Sequence, residues 1–445
     1  MLSVRRSRRV LASTIGAVAA LSLGLSSCAV GEIGGESGGG EAGATEITYL
    51  TQNSADSVAF GEALVQKFQA ANPDIKVTMD NQPGGTEGDN LMKTKLATGE
   101  MADVFHYNTG SLFQALNPDQ NLTPLTDEPW VAELSEDFKS VVSTPNGTYG
   151  APWNTTRAGG VLYNKKVYQS LGLEVPTSWS EFEANIEKVK ADGKVTPVLQ
   201  TYGDTWTSQL FVLGDFANVS AEDPDWATEY TANKRKYAEQ PALQSFANQA
   251  KMHEAGYFNK NFASATYDAG TKAIATGEAA HYPMLTSALS LIQQNNPDNL
   301  NDVGFFALPA QDAADTRATI WMPNAFYIPK TTEGAELEAA KKFVAFANSP
   351  EGCEIQATIG APAGPFAIKS CTVPDNAPAV VKDIQPYVDG GKTGLALEFL
   401  SPIKGPNLER ITVEVGSGIR SAEEGAKLYD EDVKKQAQQL GLPGW

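Results

Sequence analysis

Apolar and polar positions from residue 46 onward switch between a two-residue and a three-to-four-residue period, the marks of strand and helix. Residues 46–51, Glu-Ile-Thr-Tyr-Leu-Thr, read as a strand. Residues 57–71 place Phe60, Leu64, Val65 and Phe68 on one helical face. Residues 75–79 form a second strand, 91–99 a short helix and 102–107 a third strand. This β-α-β-α-β order predicts a mainly parallel sheet with helices on its faces. Further on, Ser178 and Glu181 have the spacing of a capping box. Phe182, Ile186 and Val189 follow on one face, and Gly193 stops the helix. Residues 336–347 read as a helix ahead of Asn348-Ser349-Pro350. Ser421 and Glu424 form a second box, after which Ala422, Ala426, Tyr429, Val433, Ala437 and Leu440 step by three and four until Gly441. No internal repeat is visible.

The first residues follow a different logic. Arg5, Arg6, Arg8 and Arg9 make a positive start, residues 10–25 are small and apolar, and Leu25-Ser26-Ser27-Cys28 closes the run. The run is short for a membrane span. The ending resembles the bacterial lipobox, where cleavage precedes a Cys that carries diacylglycerol. Residues 1–27 are therefore expected to be a lipoprotein signal peptide and Cys28 a lipid anchor. A plain secretory signal is the simpler alternative, and Ser7-Arg8-Arg9-Val10-Leu11 leaves a twin-arginine export route open. Residues 28–45 read as a flexible linker. Its stretch 31–45 holds seven Gly, no large side chain except Ile33, and reaches on the order of 20 Å.

With 445 residues, two domains are the natural expectation. From Cys28 onward 30 basic residues face 53 acidic ones, a net charge of −23. Such a surface repels phosphate backbones and anionic lipid, so nucleic acid is not an expected partner. Cys353 and Cys371 are the remaining cysteines. In an exported chain the pair reads as a disulfide; two buried thiols or a metal site are the alternatives. No His lies near either, and His106, His253 and His281 are the only three, so neither a metal nor another cofactor is expected. No His-Glu-x-x-His and no Gly-x-Ser-x-Gly is present. Gly391-Lys392-Thr393 fails as a phosphate loop because its leading Gly falls on Pro386. These absences argue for a binder over an enzyme.

Four stretches resemble the extracellular solute-binding proteins of sugar ABC transporters, the group that includes maltose-binding protein. They are Gly99-Glu-Met-Ala-Asp-Val104; Tyr149-Gly-Ala-Pro-Trp153 with Val161-Leu-Tyr-Asn-Lys165; Leu171-Gly-Leu-Glu-Val-Pro-Thr-Ser-Trp-Ser-Glu181; and the segment from Phe262 to Gly277-Glu-Ala-Ala. Lys272-Ala273-Ile274 departs mildly from the usual pattern of the last. The resemblance implies an α/β fold of two lobes, each a mainly parallel sheet flanked by helices, with hinge crossovers. Lobe 1 would take 46–155 and 310–360, lobe 2 would take 156–309 and 361–445, and 303–309 would be the return crossing. It further implies a monomer, held to the outer face of the cell membrane by lipid on Cys28, that delivers a di- or oligosaccharide to the permease subunits of an importer.

Ligands of open α/β sheets bind beyond the carboxyl ends of strands, and sugars need aromatic plates and planar polar groups. The candidate contacts are therefore Gln52 and Asn53 after the first strand and Tyr107 and Asn108 after the third. Trp153, Asn154 and Arg157 follow in the crossover, then Asp204, Trp206, Tyr282 and Met284 in lobe 2. Trp321 and Met322 stand on the returning segment. Each has a plainer reading. Gln52 and Asn53 also suit helix capping, Arg157 an ion pair with an acid, Asp204 a turn, and Tyr282 and Met284 a buried strand. Trp179 belongs to a helix start and is excluded; Trp130, Trp226 and Trp445 read as packing or surface residues. Two other functions stay open: the same fold with a polyamine, glycerophosphodiester or peptide as cargo, and a secreted carbohydrate-active hydrolase.

Overall fold

Local signals in the sequence set the element boundaries of the computed structural model, which describes residues 44–445 apart from 84, 323, 360 and 361. The signal peptide, Cys28 and nearly all of the linker lie outside the described residues. The strands run in chain order as β1 Thr45–Gln52, β2 Ile75–Gln82, β3 Val104–Asn108, β4 Ser143–Thr144, β5 Gly147–Thr148, β6 Ala151–Pro152, β7 Arg157–Asn164, β8 Thr196–Val198, β9 Ala279–Leu285, β10 Val303–Phe306, β11 Ala318–Trp321, β12 Asn324–Tyr327 and β13 Thr393–Leu395. Both capping boxes form. Ser178 accepts from the Glu181 amide and opens helix Trp179–Asp192, which ends on Gly193 at φ 70°. Ser421 does the same for helix Ala422–Gln439. The first helix, Ala55–Ala71, is capped by Ser54 through the Ser57 amide, not by Gln52 or Asn53.

Two sheets carry the fold. The first has the order β2-β1-β3-β12-β6. β1 is parallel to β2 and β3, and β12 is antiparallel to β3 and β6. The second has the order β13-β11-β7-β9-β8, with β10 also on β7. Its central strand β7 is antiparallel to β9, β10 and β11, while β8 and β13 join in parallel. The expected two-lobed α/β fold is thus present, with strand directions more mixed in the second sheet than the opening β-α-β pattern suggests. Helices Ala55–Ala71, Gly334–Ala347 and Pro350–Ile359 pack on the first sheet side; Trp179–Asp192, Tyr267–Thr276 and Ala379–Asp389 pack on the second. Among the described residues no helix is long and apolar enough to cross a membrane.

The chain crosses between the sheets as a paired ribbon. β6 of the first sheet leads to β7 of the second, and β11 of the second leads back to β12 of the first. The partners match on both sides: Trp321 opposite Arg157, then Ala325 opposite Pro152. The return crossing therefore lies between Trp321 and Asn324. The expected crossing at 303–309 is corrected, because Val303–Phe306 pairs with β7 inside the second sheet. A third segment braces the ribbon: the Thr156 amide and hydroxyl both donate to the Pro365 carbonyl at 2.9 Å, and the Ala363 amide donates to the Thr155 hydroxyl at 3.2 Å. Gly364 is required there, since a Cβ would sit 2.6 Å from the Thr156 carbonyl oxygen.

Cys353 and Cys371 are joined as a disulfide with Cα atoms 5.9 Å apart. It ties helix Pro350–Ile359 to the segment in which Ile368 bridges to Leu134 of the first lobe. A separation of 18 residues corresponds to about 3 kcal/mol of stabilisation in the chain-entropy account. The double variant Cys353→Ala/Cys371→Ala should lose that amount in urea unfolding, and reductant should lower the melting temperature of the wild type but not of the variant.

Candidate functional site

The crossing ribbon has a cavity of about 220 Å³ at its side. Gln52 closes β1 at one wall, with Ser54, Ser57 and Phe60 from the start of the helix that follows. His106 comes from β3. The ribbon itself supplies Trp153, Asn154, Thr155, Arg157 and Asn324. Ser287 and Ser290, at the start of helix Ala288–Asn295, form the second-lobe wall, and Gln356, Ile359, Pro362 and Ala363 complete the enclosure. First sheet, crossing and second lobe therefore all contribute.

An aromatic stack fixes the floor. The His106 ring lies parallel on Trp153, centroids 3.9 Å apart at 11°, and Phe60 meets Trp153 edge-on at 5.3 Å. Trp153 Nε1 donates to the Tyr49 hydroxyl at 2.8 Å. His106 Nδ1 pairs with the Thr51 hydroxyl at 3.0 Å. That hydroxyl rotates to suit either tautomer, so Nε2 is free to act as donor or acceptor. Burial, reinforced by the Arg157 charge, pulls the His106 pKa down to about 3, so the ring is neutral at ordinary pH.

Several polar atoms here are buried and unpartnered: His106 Nε2, Asn154 Oδ1 and Gln356 Oε1. Each such group costs about 1–3 kcal/mol when nothing pairs with it. Burial also pulls the Arg157 guanidinium below its ordinary value, and Tyr267 opposes this. The cavity thus offers amide acceptors and donors, serine hydroxyls, a neutral imidazole and one guanidinium beside an aromatic stack. That inventory suits a polyhydroxylated ligand.

Of the expected contacts, Gln52, Trp153, Asn154 and Arg157 line this cavity. Asn108 stands one step behind, its Oδ1 accepting from Asn324 Nδ2 at 3.3 Å. Asn53 is exposed on the turn before the helix. Tyr107 is buried in the first-lobe core. Met322 is buried too, its carbonyl accepting from the Thr109 hydroxyl. Trp321 is buried against Gly159. Tyr282 and Met284 are fully buried in β9, and the Tyr282 hydroxyl pairs with Thr201 at 2.6 Å. Asp204 accepts from the Tyr267 amide at 2.6 Å and so helps to start helix Tyr267–Thr276. Trp206 is half-buried and packs on Tyr267, centroids 5.0 Å apart. Tyr267 in turn feels the Arg157 charge, which pulls its hydroxyl down against a larger burial effect that raises it to about 12. Trp206 therefore flanks the site through Tyr267 without lining the cavity.

His106, Asn324, Gln356 and the serines were not foreseen. His106 had a signal, a polar residue inside the apolar run Val-Phe-His-Tyr. β3 runs to Asn108, and side chains alternate across a strand, so His106 and Tyr107 face opposite ways. Gln356, in mid-helix, carried no signal.

The family model for bacterial extracellular solute-binding proteins matches residues 51–352. The multiple sugar-binding protein of Streptococcus mutans serotype c is 24% identical over 337 residues, 75% of this chain and 77% of that protein. Among solved structures, apo RafE from Streptococcus pneumoniae superposes with a TM-score of 0.73 at 20% identity, covering 90% of this chain and 99% of that one. A sugar transporter protein from Bacillus licheniformis in complex with stachyose gives 0.65 at 16% identity, covering 88% and 100%. At these identities the superpositions speak for the fold.

Burial of His106 has a pH signature. The unfolded chain protonates this ring near 6.5 and the folded one only near 3. The unfolded state thus binds more protons, and stability from this group is lost as pH falls from 6.5 towards 3. Between pH 7 and pH 5 it should remove about 2 kcal/mol. Urea unfolding at the two pH values should show that much less pH-dependent loss in His106→Gln than in the wild type, whatever the variant's absolute stability.

Proposed function

The chain belongs to the bacterial extracellular solute-binding protein family, and from that premise we propose that it is the receptor of an ABC importer for a carbohydrate. Members of this family bind solutes and are not enzymes. What carries the sugar reading is the cavity at the crossing, where unpartnered amide and imidazole atoms stand beside an aromatic stack. The similarity to a multiple sugar-binding protein points the same way. A polyamine fits less well, because among the described side chains no Asp or Glu lines the cavity to meet its charge.

The proposed site is that cavity, holding one sugar unit between Gln52, Asn154 and Arg157. Further units of a di- or oligosaccharide extend over the Trp206–Tyr267 face. A ligand touching the first sheet, the crossing and the Ser287–Ser290 wall together stabilises the closed form of the two lobes, which one of equal affinity for both forms does not. The permease then takes the cargo from the closed receptor, a monomer held outside the cell by lipid on Cys28. For the lobes, the pairing of β11 with β7 supports beginning the returning lobe 1 segment near residue 322 rather than 310, and the Ile368–Leu134 bridge supports carrying it to about 371.

Melting the protein against mono-, di- and oligosaccharides, polyamines and glycerophosphodiesters tests this directly: a sugar should raise the melting temperature and be recovered intact. A rise with polyamines or diesters alone contradicts it. Asn154→Ala and Gln52→Ala should each weaken the sugar by about tenfold, the loss of one hydrogen-bonded contact, as read by calorimetric titration. Trp206→Ala should weaken a disaccharide more than its monosaccharide.

A further inference from the structure

Arg157 is in an unusual position for this chain. It opens β7 at the crossing and is half-buried in the cavity wall. Of the other described arginines, Arg235 holds Asp223 and Glu229 and Arg420 holds Glu414, while the half-buried Arg317 donates to the Ala314 carbonyl and Arg410 is exposed. Arg157 has no such partner among the described side chains, which leave out those of residues 55, 56 and 85–87. Among the side chains the structure describes, which do not include that of Asp56, no Asp or Glu lines the cavity. The one other ionisable ring there, His106, is kept neutral by its burial and by the Arg157 charge itself.

A desolvated cation without a counter-charge is costly. A folded chain ordinarily answers with an acid or by turning the side chain to water. Here no acid answers among the described side chains, and the half-buried guanidinium stands in one cavity with His106, Asn154 and Gln356, whose Nε2, Oδ1 and Oε1 atoms lack partners. One positive charge calls for one negative charge. The planar fork of a guanidinium matches the planar edge of a carboxylate with two parallel hydrogen bonds.

Resting on the sugar reading of the cavity, we propose that the cargo is a sugar acid, a saccharide containing a uronate unit whose carboxylate is held by Arg157. The hydroxyls of that unit then meet Asn154, Gln356 and His106, whose buried atoms otherwise lack partners. A phosphodiester is the other common monoanion, so it forms an arm of the test.

The test is calorimetric titration of the whole protein with matched pairs: galacturonate and galactose, glucuronate and glucose, an aldobiouronic acid and its neutral disaccharide, with a glycerophosphodiester alongside. The acid of a pair should bind at least tenfold more tightly than its neutral partner. In Arg157→Gln that preference should vanish: the acid should lose at least tenfold more affinity than its neutral partner loses. Arg157→Lys, which keeps the charge and loses the fork, should keep part of the preference. A neutral sugar that binds as tightly as its acid overturns the inference and leaves the sugar receptor standing. Binding of the diester with no sugar bound overturns both, as does the absence of any sugar binding. If Arg157→Gln does not fold, the matched pairs on the wild type decide alone.

Discussion

The paired crossing of two chains from one sheet to the other is the constraint on which the rest of the molecule depends. β6 and β7 run out along it and β11 and β12 run back, hydrogen-bonded to each other at both ends. Between those ends the Trp153 amide still donates to the Asn324 carbonyl at 3.3 Å. The segment through Gly364 and Pro365 is laced to Thr155 and Thr156 as a third strap. A short ribbon, strapped by that third segment, joins the lobes. The same residues that make the joint also line the cavity. In the proposed function, a ligand seated there touches the joint between the lobes, which would give its binding energy a direct hold on the angle between them.

Stability and function pull in opposite directions at this place. Three buried polar atoms without partners and a half-buried guanidinium unpaired among the described side chains are a poor arrangement for the fold by itself. Unpartnered atoms alone do not mark a site: Trp226 Nε1 and the hydroxyls of Tyr230 and Tyr237 also lack partners in the aromatic core of the second lobe. What separates the two cases is geometry. The second-lobe group is closed by stacked rings, Trp226 on Tyr230 at 4.8 Å, and offers no room. The crossing has a cavity, a cation and contributions from both lobes.

The parts of this fold that were legible in the sequence are those with local causes. Ser178 with Glu181 and Ser421 with Glu424 specify helix starts within four residues, and Cys353 and Cys371 were the available pair in an exported chain. The return crossing was misplaced because β10 and β11 both pair with the same edge of β7. Such a partnership joins residues more than a hundred positions apart and leaves no periodic trace. The site followed the same rule. Of the candidate contacts, Gln52, Trp153, Asn154 and Arg157 reach the cavity because they sit at strand ends or on the crossover. His106 was missed and Tyr107 taken instead because the strand ends one residue later than its pattern suggests, and one residue reverses the face. Tyr282 and Met284 lie in a strand covered on both sides, where the position after the strand has no meaning until the helices that cover it are known.

The central claim is that sugar binds at the crossing, and a structure of the protein with a bound saccharide tests it most directly. The account predicts a sugar ring in the cavity, hydrogen-bonded to Asn154 and Arg157 and in contact with the Ser287–Ser290 wall, with the lobes closed around it. A sugar seated elsewhere, such as on the Trp206 face and outside the cavity, would contradict it.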